Sequence, residues 1–123
     1  MASVLVVDDD PAIVHLLELN LELEGHDATS VSDGREVLDR IREVRPDVVL
    51  LDIMLPHVDG WQLCEAIRAD PELAATPVVL LTARTQTADL ERGEQIGADA
   101  YVTKPFDPVE ILAWVERLVA GRP

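Results

Sequence analysis

Lysine is nearly absent from this sequence. Nine of its ten cationic residues are Arg and the only Lys is Lys104, against 24 Asp and Glu, giving a formal net charge of −14 over 123 residues. Such a shortage of positive charge argues against direct nucleic-acid binding, which uses Lys and Arg to displace phosphate counterions. It also disfavours an anionic membrane surface. Cysteine is reduced to Cys64, which excludes an internal disulfide and a multi-cysteine zinc centre. No uninterrupted apolar run approaches the ~20 residues that a membrane-spanning helix needs. The first residues carry no basic stretch followed by a long apolar region, so the expectation is a cytoplasmic protein without a signal peptide. Neither G-x-x-x-x-G-K-[ST] nor G-x-G-x-x-G occurs, which removes the nucleotide-loop readings.

What is present is ample apolar material, 48 % of the residues, arranged in two alternating kinds of segment. Short β-branched runs recur at Val4–Val7, Thr29–Val31, Val48–Leu51, Val78–Leu81 and Ala100–Val102. Helical spacing fills the intervals. Asp10-Pro11 and Asp107-Pro108 each pair an N-cap with Pro at the first helical position, Asp33 and Asp59-Gly60 open two further helices, and Thr87 starts one that ends at Gly97. Five strands alternating with five helices predict an α/β, doubly wound fold with a parallel five-stranded sheet, for which the flavodoxin-like order 2-1-3-4-5 suits this length. With no repeat or linker, residues 1–123 read as one domain, with a core over about 3–119 and a tail or linker start at 120–123.

The polar residues that end each strand carry the chemistry. The first strand runs into Asp8, Asp9 and Asp10, the third into Asp52, the fourth into Thr82, and the fifth into Thr103 and Lys104. In an open parallel sheet ligands bind beyond the carboxyl ends of the strands, where strand order switches. Asp8, Asp9 and Asp52 are expected to converge there, and their mutual repulsion is relieved by a hard divalent cation such as Mg²⁺. Lys104 adds a compact charge suited to a phosphoryl oxygen, and Thr82 a hydroxyl donor. Together they point to phosphoryl transfer with a carboxylate nucleophile. Asp10 is explained by N-capping alone.

Four segments, each at a strand end, resemble the receiver domains of two-component response regulators. They are Val-Val-Asp8-Asp9-Asp10, Leu-Leu-Asp52-Ile-Met-Leu-Pro56-His-Val-Asp59-Gly60, Thr82-Ala83, and Gly97-Ala98-Asp99-Ala-Tyr101-Val-Thr-Lys104-Pro105-Phe106. The resemblance implies that Asp52 accepts a phosphoryl group from a sensor histidine kinase or a histidine phosphotransfer protein. It implies Mg²⁺ held by Asp9, Asp52 and the Met54 carbonyl, with Asp8 acting through a water. Thr82 and Lys104 would bind the phosphoryl oxygens, Lys104-Pro105 would be cis, and Tyr101 would be the switch aromatic that turns inward as Thr82 moves. Met54 and Arg84 match positions that tune the rate of dephosphorylation, and a bulky Met54 leads us to expect a phosphoryl lifetime longer than seconds. Many receivers of winged-helix transcription factors carry an Ala-Arg pair in the fifth helix. That pair salt-bridges a dimer partner; here Ala113-Trp114 stands instead, which weakens the case for that symmetric dimer and leaves another phosphorylation-dependent homodimer open.

The other chemistry-bearing side chains read as structural. His15, His26 and His57 lack metal-ligand spacing, and Cys64 reads as an inert helix residue. Trp61 and Trp114 read as packing residues, or as interface anchors if exposed. The leading expectation is a phosphorylation-operated switch, not an enzyme, that acts through a downstream protein target. A receiver portion of a longer regulator with an output domain is the alternative. A Mg²⁺-dependent aspartate-nucleophile phosphohydrolase is a third option, weakened because Met54 stands where such an enzyme needs a general acid.

Overall fold

The computed structural model describes residues 2–82 and 97–121. Five parallel strands, β1 (Ser3–Val7), β2 (Asp27–Val31), β3 (Val48–Asp52), β4 (Val78–Thr82) and β5 (Ala100–Thr103), form one sheet of order β2-β1-β3-β4-β5. β3 and β4 are buried along their whole length, as continuous apolar runs covered on both faces should be. β2, with its polar Asp27-Ala-Thr-Ser, lies at an edge. It begins two residues earlier than its hydrophobicity predicts, because pairing with Ser3 and Val4 of β1 holds Asp27 and Ala28 extended.

Alternation along the strands splits the core in two. Val4, Val6, Val48, Leu50, Val79 and Leu81 pack under α1 (Pro11–Leu23) and the C-terminal helix (Pro108–Ala120). Leu5, Val7, Val49, Leu51, Val78 and Leu80 pack under α2 (Val37–Val44) and α3 (Gly60–Ala69). Asp10 and Asp107 cap their helices as expected, each accepting a backbone N–H two residues on, with Pro following. Asp33 caps a short 3-10 turn, Gly34–Glu36, that leads into α2, so α2 itself starts later than the cap suggests. Arg45, in the left-handed region at φ 49°, ends α2 before Pro46. The helix expected from Thr87 lies outside the described residues, as does Arg84.

Candidate functional site

The strand register assembles the site. Val7 pairs with Leu51, so the next residues along, Asp8 and Asp52, emerge side by side from the centre of the sheet. Both are almost fully enclosed, 1 % and 2 % exposed, whereas Asp9 is open to solvent. One carboxylate oxygen from each of Asp8, Asp9 and Asp52 lies within 4.8 Å of the others. Lys104, carried in from the end of β5, places its Nζ 3.1 Å from Asp8 Oδ2 and 3.3 Å from Asp52 Oδ1. Two backbone donors complete the cradle: the Asp10 N–H on Asp8 Oδ1 at 2.9 Å and the Met54 N–H on Asp52 Oδ1 at 3.3 Å.

The charges do not balance. Three carboxylates face one ammonium: Asp8 and Asp52 are buried and share Lys104, and the exposed Asp9 stands beside them, an excess of two negative charges. Burial raises the pKa of Asp52, the neighbouring Asp8 carboxylate raises it further, and Lys104 only partly counters them. Burial also opposes the charge on Lys104, but Asp52 and Asp8 outweigh it and its pKa is raised. A divalent cation removes the excess. All three donors are hard carboxylate oxygens, as Mg²⁺ prefers. One oxygen from each carboxylate lies near enough to the other two for a single ion to be shared among them. The residues present fit the metal.

The remaining predicted residues spread outward from this centre. Thr82 closes β4 and is 5 % exposed, and its carbonyl accepts the Lys104 N–H. Lys104-Pro105 is cis. Met54 is 73 % exposed, and its backbone N–H is the group that bonds Asp52. Tyr101 is half-buried and packs against Trp61, which is an enclosed core residue and no interface anchor. His15 lines a cleft of about 540 Å³ beside Asp8 and Asp9, with Val14, Glu18 and the Ser30–Ser32 segment. His26 accepts the Ala2 N–H on Nδ1, and Cys64 is buried with its thiol pKa pushed up by that burial. On the far side of Lys104 an apolar groove of about 420 Å³ is lined by Ile13, Leu16, Pro105 and Phe106.

Gly60 does more than open a helix. A Cβ built there would stand 2.5 Å from the Asp52 carbonyl oxygen. The Asp59-Gly60 pair signals a helix start, and nothing in its neighbours announces that this start rests on the end of β3.

Residues 4–116 match the family model described as "Response regulator receiver domain". The DNA-binding response regulator MtrA of Mycolicibacterium smegmatis is 47 % identical over 112 residues, covering 91 % of this chain and 48 % of that protein. The chain thus spans about half the length of the curated relatives it matches. Among solved structures, a putative response regulator from Chloroflexus aurantiacus J-10-fl superposes with a TM-score of 0.91 at 34 % identity, over 97 % of this chain and 98 % of that one. The receiver domain of a sensor histidine kinase from Pseudomonas aeruginosa PAO1 superposes with a TM-score of 0.88 at 30 % identity, over 98 % of each chain. That structure has a magnesium ion coordinated in its active-site cleft.

Proposed function

Because the chain belongs to the response regulator receiver family of two-component systems, we propose that it is a phosphorylation-operated switch whose acceptor is Asp52. The observation that carries this reading is the buried Asp52 carboxylate, held beside two further carboxylates and a shared ammonium. The chemistry is a displacement at phosphorus: an Asp52 oxygen forms the new P–O bond while the P–N bond to the donor histidine breaks, and the imidazole leaves with that electron pair. Asp9, Asp52 and the Met54 carbonyl would hold Mg²⁺, with Asp8 acting through a water. When bound, the ion neutralises charge on the transferring group. Lys104 exchanges its carboxylate partners for phosphoryl oxygens, and the Thr82 hydroxyl donates to another. Thr82 and Tyr101 then carry the change to the β5 surface.

The donor is a sensor histidine kinase or a histidine phosphotransfer protein. The apolar groove beside Lys104, next to the exposed Leu16 of α1, supports docking of such a partner within reach of Asp52. The downstream output is either a protein bound by a stand-alone receiver or an output domain of a longer regulator. No described helix is long and apolar enough to cross a membrane.

Asp52→Asn is expected to abolish acid-labile labelling by acetyl phosphate in Mg²⁺, and undiminished labelling of that variant would overturn the assignment. In the parent chain the label should outlast seconds, because Met54 and Arg84 occupy the positions proposed to set its lifetime. The decay of label after donor removal measures this directly.

A further inference from the structure

Two contacts in the first turn of α3 join the end of β3 to β5. Gly60 lies so close to β3 that a Cβ on it would stand 2.5 Å from the Asp52 carbonyl oxygen and 2.6 Å from the Ile53 Cα. Its N–H also donates to the Ile53 carbonyl at 2.8 Å. Here backbone meets backbone, with no flexible side chain to absorb a displacement, so the helix start moves with the peptide after Asp52. Trp61 follows directly. It is enclosed in the core, and its ring centre lies 6.3 Å from that of Tyr101, with the planes tilted by 33°. Aromatic pairs at this spacing constrain each other's orientation beyond simple burial. The turn between the two contacts is held by a reciprocal cap, Asp59 accepting the Gln62 N–H and Gln62 accepting the Asp59 N–H.

We propose that Gly60 and Trp61 form a second link between the acceptor carboxylate and Tyr101, one that runs through the start of α3 and bypasses Thr82. The inference rests on the reading of Asp52 as acceptor and Tyr101 as the responding aromatic. Trp61 is a positioning residue in this scheme. A shift of the Asp52–Ile53 backbone on gaining a phosphoryl group moves the ring against which Tyr101 rests. By reciprocity, losing either ring changes how tightly Asp52 holds a phosphoryl mimic.

A double-mutant cycle tests this, with beryllofluoride and Mg²⁺ as the probe and bound fluorine signals in ¹⁹F NMR as a readout independent of tryptophan. Trp61→Leu and Tyr101→Leu are each expected to weaken beryllofluoride binding by about threefold or more. The double variant should lose no more than the larger single loss, and the same pattern should persist on a Thr82→Ala background. Trp61→Phe, which keeps a ring in place, should restore most of the parent affinity, and Trp61→Met replaces Trp61→Leu if the latter does not fold. Single losses that multiply, that are absent, or that vanish on the Thr82→Ala background overturn the link while leaving the acceptor reading intact. A parent chain that binds beryllofluoride no better than Asp52→Asn overturns the acceptor reading, and the link falls with it.

Discussion

Lys104 spans two buried carboxylates, Asp8 at 3.1 Å and Asp52 at 3.3 Å, with about a fifth of its own side chain exposed. Its raised pKa means that the folded state holds the proton more tightly than the unfolded chain. Its contribution to stability is therefore complete below about pH 10.5, the ordinary lysine value, and is lost as the pH rises through the folded value. Removing the charge strands two buried carboxylates beside each other. For a fully buried pair that costs about 3–5 kcal/mol, and the partial exposure of Lys104 reduces the expectation to about 1–3 kcal/mol. Lys104→Met should accordingly lower the urea midpoint of the metal-free protein at pH 7, and Mg²⁺ should restore most of the loss by supplying positive charge at the same place. A variant as stable as the parent in chelator would show that the ion pair does not hold the pocket together. The rarity of Lys in the sequence made this residue conspicuous before any fold was known. Gly60 offered no such mark, because its importance lies in the Asp52 carbonyl that it touches and not in its neighbours.

Among the elements, α3 bears most directly on the site, and its start is built from local signals. The Asp59 side chain accepts the Gln62 N–H at 2.9 Å and the Gln62 side chain accepts the Asp59 N–H at 3.2 Å, satisfying donors that a helix N-terminus otherwise leaves open. Asp59→Ala should cost about 1 kcal/mol, read as a drop in the urea midpoint with an unchanged slope, and Asp59→Asn, which keeps an acceptor, should lose less than half of that. Equal losses from both variants would mean that the carboxylate acts through its charge and not as a cap. Signals of this kind explain why α1, α3, the C-terminal helix and all five strands were legible in the sequence. Asp-Pro and Asp-Gly mark starts, and unbroken Val and Leu runs mark strands buried on both faces. The start of β2 was less legible because its first residues are extended by pairing with Ser3 and Val4 and not by their own hydrophobicity. The start of α2 was misplaced because Asp33 caps either kind of helical turn, and a 3-10 turn intervenes. Contact between Trp61 and Tyr101 was invisible, since it exists only once β3, β4 and β5 lie in order beside α3.

Across the whole molecule, a net charge of −14 is concentrated unevenly, and the stability of the metal-free fold follows from where it falls. On the surface, Arg35 bonds Asp33 and holds its pKa at about 2, and Arg42 bonds Asp70 and lowers its pKa as well. Depressed carboxylates contribute stability that is present above about pH 4 and is lost as the pH falls toward 2. Both pairs are exposed and screened, so that slope is shallow. Asp52 acts in the opposite sense. Its raised pKa means that the native state keeps a proton that the unfolded chain has already released, so its contribution falls as the pH rises above the usual carboxylate value of 3.8. At neutral pH without metal, the ionised Asp52 beside Asp8 is a destabilising charge that an amide of the same shape would not carry. Asp52→Asn should therefore melt about 2–5 °C above the parent at pH 7 in chelator, with the gap closing toward pH 4. Mg²⁺ should reverse the order. At ten times its dissociation constant a ligand adds about 1.4 kcal/mol to the folded state, and the parent gains this in full while the variant lacks one of the three carboxylates. Thermal melts of both proteins at pH 4 and pH 7, with and without Mg²⁺, give the four differences. A variant that melts at or below the parent at pH 7 in chelator would mean that Lys104 already neutralises the pocket and that the cation is not needed to balance it.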